Sequence, residues 1–263
     1  MFRRVLSACL ALLPFAAAPA AAQVEPVDLE LILAVDISRS MDFDEHKLQR
    51  DGYVAAIAHP DVVSAITQGL HGRIALTYVE WAGPATQAVV VDWQVIDGPA
   101  AARRFADELA RVPIQRLHGT SISSSLAFVA PRFDTNAHEG IRRVIDVSGD
   151  GPNNMGPPVE AARDAVLARG ITINGLPIMI KKGMGFSAIG DLDVYYEDCV
   201  IGGPGAFIVP AHAAEEFAVA IRRKLVLEIA GRQPELLPAQ AADKASRIDC
   251  LIGEKLRQQW MRE

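Results

Sequence analysis

Apolar runs of strand length alternate with stretches of helical period along most of the chain, the pattern of a largely parallel sheet covered by helices on both faces. Leu29 to Val35 is apolar at nearly every position, which predicts a central strand. Asp44 to Ala58 has helical spacing, with Leu48, Tyr53, Ala56 and Ile57 on its inner side, and Pro60-Asp61 opens a short helix through Ile66. Arg73 to Trp81 and Gln87 to Trp93 predict the next two strands. The turn-prone Ala82-Gly83-Pro84 between them is too short for a crossover and suits an antiparallel hairpin. A helix over Pro99–Arg111 follows, then one over Ser121–Phe133 entered from His118-Gly119-Thr120. Ile141–Val147 reads as a buried strand, Pro158–Arg169 as a helix and Ile171–Ile180 as a strand. Gly183 to Gly205 is glycine-rich and irregular apart from a turn of helix around Tyr195-Tyr196. Ala206–Val209 predicts a short last strand and Ala213–Ile229 a last long helix, which Gly231 and Pro234 end. The tail from Glu235 reads as an appended amphipathic helix with Ile248, Leu251, Ile252 and Leu256 on one side. The expected fold is therefore a Rossmann-like, doubly wound α/β domain with a mostly parallel sheet and one antiparallel edge strand. It covers residues 23–231, with a C-terminal helical extension over 232–263.

The first 22 residues stand apart from this pattern. Arg3 and Arg4 precede an apolar stretch from Val5 to Ala18 broken by Pro14, and Ala20-Ala21-Ala22 supplies the small residues of a cleavage site. This reads as a signal peptide cut before Gln23, and the expected location is periplasmic or secreted. The stretch is short for a membrane span and no stop-transfer pattern follows it. Leu6-Ser7-Ala8-Cys9 resembles a lipoprotein box, but only eight residues precede the cysteine, which leaves almost no apolar region ahead of the cut.

Loss of Arg3 and Arg4 with that segment moves the net charge from −6 to −8. That balance argues against nucleic acid and anionic membrane surfaces as partners. Two cysteines, Cys199 and Cys250, remain. In an oxidising compartment such a pair reads as one disulfide, with two buried thiols that never meet as the alternative.

The chemistry lies at the end of the first strand. Asp36-Ile37-Ser38-Arg39-Ser40 puts one carboxylate and two hydroxyls at alternate positions where the strand meets the carboxyl edge of the sheet, the edge at which open α/β sheets bind ligands. Three oxygens on one side of an extended turn suit a hard divalent cation, which takes about six oxygen ligands in the case of Mg²⁺. The motif alone is weak, arising by chance in about one chain of this length in twenty, and Ser40 or Asp42 could equally cap the following helix. Two later segments add weight. Thr120 lies in a loop opening a helix, and Ser148-Gly149-Asp150-Gly151 ends a buried strand and brings a second carboxylate to the same edge. Each also has a plain reading, Thr120 or Ser121 as a helix cap and Asp150-Gly151 as a turn.

Taken together, Asp36-x-Ser38-x-Ser40, Thr120 and Asp150 resemble the metal-ion-dependent adhesion site of von Willebrand factor type A (vWA) domains. More narrowly, Ser148-Gly149-Asp150-Gly151 and Cys199-Val200-Ile201-Gly202-Gly203-Pro204-Gly205 resemble the bacterial family of exported proteins DUF1194, over roughly residues 28 to 231. The resemblance implies Mg²⁺, with Mn²⁺ as the other candidate. Ser38 and Ser40 would ligate it directly, Thr120 directly or through water, and Asp36 and Asp150 through water. It also implies a partner protein supplying an Asp or Glu to the ion. Arg39 departs from the pattern, which has Gly there; its side chain either meets an incoming carboxylate or points to solvent.

Enzyme motifs are weak. A dehalogenase-type phosphatase needs an Asp where Ser38 stands, no Gly-x-Ser-x-Gly elbow is present, and no glycine-rich phosphate loop follows the first strand. The histidines at 46, 59, 71, 118, 138 and 212 lack zinc-ligand spacing, although His118 is two residues from Thr120. Trp81, Trp93, Tyr195 and Tyr196 read as packing residues. The expectation is a non-enzymatic interaction module. A metal-assisted hydrolase and a purely structural ion tying loops together are the alternatives.

Overall fold

A computed structural model describes residues 24–180, 189–231 and 248–262. The expected signal segment and its cleavage point lie outside these residues, as does the first part of the C-terminal tail. Five strands form one sheet: β1 (Glu25–Asp36), β2 (Ile74–Trp81), β3 (Gln87–Ile96), β4 (His138–Gly149) and β5 (Thr172–Pro177), in the order β3-β2-β1-β4-β5. β1 pairs in parallel with β2 and β4, and β4 with β5, whereas β2 and β3 form an antiparallel hairpin at the edge. The short link after Trp81 forces that hairpin, as its length requires.

β1 is apolar at nearly every position from Leu29 to Val35 because it is buried on both faces. Leu29, Leu31, Leu33 and Val35 pack into one cluster with α1 (Phe43–Ile57), α2 (Pro60–Thr67), α3 (Pro99–Arg111) and α7 (Phe217–Ala230). Ile32 and Ala34 point the other way, against α4 (Ile122–Val129), α5 (Val159–Leu167) and the segment from α6 (Leu192–Tyr195) to Val200. The period of two thus places every second residue in a different core.

Charged groups inside these cores are paired with opposite charges. Arg50 of α1 is paired with Glu80 and also donates to the carbonyls of Leu109 and Val112 at 3.0 and 2.9 Å, tying α1 to β2 and to the end of α3. Lys224 of α7, 1 % exposed, lies between Asp146 and Glu228, and Asn174 donates to Glu228 at 2.9 Å. Burial, reinforced by Glu228 and opposed by Lys224, pushes the Asp146 carboxyl up to about 7.

Several elements differ from the sequence reading. The helix expected over Ser121–Phe133 breaks after Val129, and a 3₁₀ turn covers Ala130–Asp134, because Pro131 has no N–H to continue the ladder. β5 ends at Pro177, opposite Gly149, where its partner β4 also ends. Ala206–Val209 is not a strand element. That segment follows β5 through isolated bridges at Ile208 and Ala211, with Gly175 N–H donating to Phe207 O at 3.1 Å. The turn expected around Tyr195-Tyr196 is larger, α6 continuing into a π-helical turn over Tyr196–Val200. Trp81, Tyr195 and Tyr196 are fully buried.

In the described part of the tail, α8 covers Ile252–Trp260. Ile248 and Ile252 pack on the second core but Leu251 is exposed, so Leu251 does not share their face. Cys199 and Cys250 form a disulfide with Cα atoms 5.6 Å apart, which fastens this tail to the domain. Among the described residues no helix is long and apolar enough to cross a membrane.

Candidate metal centre

The ends of β1 and β4 make the floor of the site. Val35 is in register with Ser148, so Asp36, the last residue of β1, lies beside Gly149, the last of β4. A side chain at Gly149 would place its Cβ 3.0 Å from both Asp36 Oδ2 and the Tyr196 hydroxyl; glycine lets the three groups meet. Asp36 is fully buried. Its Oδ1 accepts from the Ser38 N–H at 2.7 Å, and its Oδ2 has no hydrogen-bond partner.

From there the polar groups run outward as a chain. Ser38 Oγ and Ser40 Oγ are 2.7 Å apart, and Ser40 Oγ donates to Asp150 Oδ1 at 2.6 Å. The structure thus joins Asp36, Ser38, Ser40 and Asp150 in one network, the Ser40–Asp150 bond spanning 110 positions of sequence. Thr120, 3 % exposed, lies on the neighbouring loop, which runs beside the Asp36–Ser40 segment through the bridge between Ser38 and Leu117.

Of each pair of capping candidates, the structure uses Asp42 rather than Ser40 and Ser121 rather than Thr120. Asp42 caps α1 in a reciprocal box with Glu45, the two bonds being 3.0 and 2.8 Å. Ser121 caps α4 by accepting from Ser124 N–H at 3.3 Å. Neither Ser40 nor Thr120 caps a helix, and the Ser40 hydroxyl instead joins Ser38 and Asp150.

The electrostatics point to a missing positive charge. Burial first, and the neighbouring Asp150 second, push the Asp36 carboxyl well above the usual carboxylate range. The same two causes, burial and the two carboxylates, raise the Tyr196 phenol. A buried carboxylate with an orphan oxygen beside a second acid is unfavourable unless a cation or a proton compensates it. The donor set of hydroxyls and carboxylates is that of a hard cation. Among the described residues no three His, Cys, Asp or Glu side chains converge into a softer metal site. The residues present fit a divalent ion of the Mg²⁺ type.

Four residues that the sequence reading did not assign to the site hold it in shape. His46, in the second turn of α1, is 2 % exposed, and its Nε2 donates to the Ser38 carbonyl at 2.9 Å. Burial lowers its pKa, which favours the neutral ring. Arg116 donates to Met41 O at 2.9 Å and to Arg39 O at 3.1 Å, strapping the same loop from outside. Asn154 clamps Thr120 by both backbone groups: Thr120 N–H donates to Asn154 Oδ1 at 3.1 Å and Asn154 N–H to Thr120 O at 2.9 Å. Asn153 Oδ1 accepts from Ser123 N–H at 3.1 Å, at the start of α4. The pair Asn153-Asn154, just after Asp150-Gly151-Pro152, was the available sequence signal, since short amides in a loop commonly hold backbone groups. His118 is exposed and makes no part of the network described here. His59 instead caps α2, accepting from Asp61 N–H at 3.1 Å. Arg39 is exposed. A separate cleft of about 500 Å³ opens at the far, amino end of β4 and β5, lined by Arg142, Thr172, Asn174, Phe207 and Glu228. Its Arg142 is committed to the carbonyls of Glu228 and Ile229 at 2.8 Å each.

Comparison with known proteins places this chain in a family. Solved structures with the same fold include proximal thread matrix protein 1 (PTMP1) of the mussel byssus, 14% identical, covering 78% of this chain and 48% of that one, with a TM-score of 0.57. A von Willebrand factor type A protein from Catenulispora acidiphila is 16% identical over 77% of this chain and 43% of its own, with a TM-score of 0.53. The vWF domain of the pilus tip protein Mfa5 from Porphyromonas gingivalis is 11% identical over 79% of this chain and 97% of its own, with a TM-score of 0.54. The present chain therefore spans about half of PTMP1, whose structure has also been solved with a zinc-occupied MIDAS motif. No curated protein sequence matches it. The family model described as "Protein of unknown function (DUF1194)" matches residues 26–233. The chain belongs to the DUF1194 family and has a vWA-like fold.

Proposed function

We propose that this protein is an exported, non-enzymatic docking module that holds Mg²⁺, or Mn²⁺ in its place, with Ser38, Ser40, Thr120, Asp36 and Asp150. Through that ion it would bind an Asp or Glu of a partner protein. The observation that carries the reading is the continuous network Asp36–Ser38–Ser40–Asp150 ending on a buried carboxylate oxygen without a partner. The ion would supply an electrophilic coordination position open to a partner's carboxylate. The protein's own residues do the rest. The serine hydroxyls offer neutral oxygens, and the two aspartates hold negative charge close by without exhausting the ion's acidity. His46 and Arg116 fix the loop backbone so that the hydroxyls converge.

The rim suits an acidic partner. Arg39 and Arg116 are both exposed beside the site, and each offers a guanidinium to an incoming carboxylate. Phe43, 55 % exposed at the first residue of α1, adds an apolar contact next to it. The signal-like segment and the disulfide support export.

The test is affinity capture from an exported-protein fraction with the full mature chain, in Mg²⁺ and in chelator, beside Ser40→Ala. The reading expects a partner that chelator elutes and that Ser40→Ala does not retain. Capture of the same protein in chelator would overturn it. A chelator-induced fall in melting temperature with no metal-dependent partner would assign the ion a purely structural role.

A further inference from the structure

The C-terminal segment is built into the metal site rather than merely appended to the domain. Its first described residue is fastened at once: Ile248 N–H donates to Asp198 Oδ2 at 3.1 Å. Two residues later Cys250 is bonded to Cys199 on the π-helical turn. That turn packs against β5 and α5 and contributes Tyr196, whose hydroxyl reaches the Gly149 carbonyl at the floor of the site. Helix α8 then crosses the loop that follows Asp150. Gly253 lies so close to this loop that a Cβ there would overlap the Asn153 carbonyl oxygen and approach Pro152 Cγ to 3.0 Å. The next residue, Glu254, accepts from Asn153 Nδ2 at 2.7 Å through Oε1.

Asn153 spends its remaining capacity on the site's framework. Its N–H donates to Tyr195 Oη at 3.2 Å, and its Nδ2 also reaches the Pro157 carbonyl at 3.1 Å. Its Oδ1 takes the Ser123 amide and, at 3.2 Å, the Ser123 hydroxyl. Its neighbour Asn154 clamps Thr120, and Asp150, three residues earlier, takes the Ser40 hydroxyl. One short loop therefore carries a carboxylate of the site, fixes Thr120, and rests on α8.

We propose that Asn153 is a positioning residue for the metal site and that α8, held down by the Cys199–Cys250 disulfide, sets its position. With α8 seated the loop holds Asp150 and Thr120 where the serines need them; with α8 released the loop loses the Glu254 acceptor and the backing of Gly253, and cation affinity falls. This rests on the metal-site reading above. The device is redox-sensitive as a consequence. A dithiol reductant gives two electrons and two protons to the disulfide, leaving the Cys199 and Cys250 thiols while the dithiol itself closes to a disulfide.

The test uses the full mature chain in three forms: oxidised, reduced with dithiothreitol, and Gly253→Ala with its disulfide intact. Alanine favours a helix more than glycine does, so that substitution strengthens α8 itself and removes only its seat on Asn153. Two quantities are read: the Mn²⁺ dissociation constant, and amide hydrogen exchange at Thr120 and Asn154 with chelator present. The expected result is a tenfold or larger rise in the Mn²⁺ constant for both altered forms. Faster exchange at those two amides should accompany it, and in Gly253→Ala, whose disulfide is intact, exchange in β1 and β2 stays unchanged. Reoxidation restores the reduced protein, and Glu254→Gln, which keeps an acceptor for Asn153, binds Mn²⁺ as wild type does while Glu254→Ala does not. Unchanged exchange at Thr120 and Asn154 in Gly253→Ala overturns the coupling. Faster exchange with an unchanged Mn²⁺ constant overturns the claim that the seat governs affinity. An oxidised wild type that binds no Mn²⁺ defeats the metal-site reading, and the exchange measurement then still decides whether α8 holds the loop.

Discussion

Replacing Asp36 by Asn separates the two things this residue does. Without a cation its carboxylate is fully buried, has one oxygen without a partner, and faces the negative charge of Asp150. Asn has the same shape and keeps an oxygen for the Ser38 N–H, so the local turn survives. What it removes is the cost of a buried, uncompensated charge, about 1–3 kcal/mol by the usual range for such groups. For a chain of this size that corresponds to a rise in Tm of roughly 2–10 °C in chelator. In saturating Mg²⁺ the order changes. At about 100 times its Kd a ligand stabilises the wild type by roughly 2.7 kcal/mol, and Asp36→Asn, lacking the charge that holds the ion, gains little. Differential scanning calorimetry of both proteins in chelator and in Mg²⁺ is the assay. A variant less stable than wild type in chelator, with the same Mg²⁺-dependent shift, would refute the reasoning at both steps.

Further substitutions probe other parts of the account. Gly149→Ala places a methyl 3.0 Å from Asp36 Oδ2 and the Tyr196 hydroxyl; it should cost about 1–3 kcal/mol through overpacking and weaken Mg²⁺ binding, both measurable by urea unfolding and calorimetry. Lys224→Met leaves Asp146 and Glu228 buried without their cation and should cost about 3–5 kcal/mol in urea unfolding. Because the Asp146 carboxyl titrates at about 7 in the folded protein and near 4 when unfolded, folding takes up a proton between these values. Its contribution to stability is full below pH 4 and is lost as the pH rises through 7; Asp146→Asn should flatten the urea midpoint across that window. The disulfide closes a loop of 51 residues, so its reduction should lower the unfolding free energy by roughly 4 kcal/mol in the loop-entropy model, read as a shift in urea midpoint with and without reductant.

How much of this was legible in the sequence depends on the range over which each feature is determined. The central strand announced itself because residues buried on both faces are apolar at every position, and the hairpin because its link is too short for anything else. Asp36, Ser38 and Ser40 were visible as a local pattern at a strand end, and Asp150 at the end of the neighbouring strand. Thr120 was visible in a loop opening a helix, and the resemblance to vWA domains joined all five into one site. The break at Pro131 was also within reach, since proline removes a donor from the helical ladder, but the apolar pattern runs through it. The loose pairing of Ala206–Val209 beside β5 has no local cause; that segment is apolar and of strand length, and only its neighbours decide the hydrogen bonding. The same holds for His46, Arg116, Asn153 and Asn154. Each acts on the backbone of a residue brought to it by the fold, and no spacing along the chain encodes a bond from Asn153 to Glu254 across 101 positions.

The central claim is that the Asp36–Ser38–Ser40–Thr120–Asp150 constellation holds a divalent cation. Isothermal titration of metal-stripped protein with Mg²⁺, alongside a Ser38→Ala/Ser40→Ala double variant that keeps both aspartates, tests it most directly. The account predicts one site per chain in the wild type and none in the variant, with both proteins folded by circular dichroism. A wild type that takes up no Mg²⁺ or Mn²⁺, or a double variant that binds as tightly as the wild type, would contradict it.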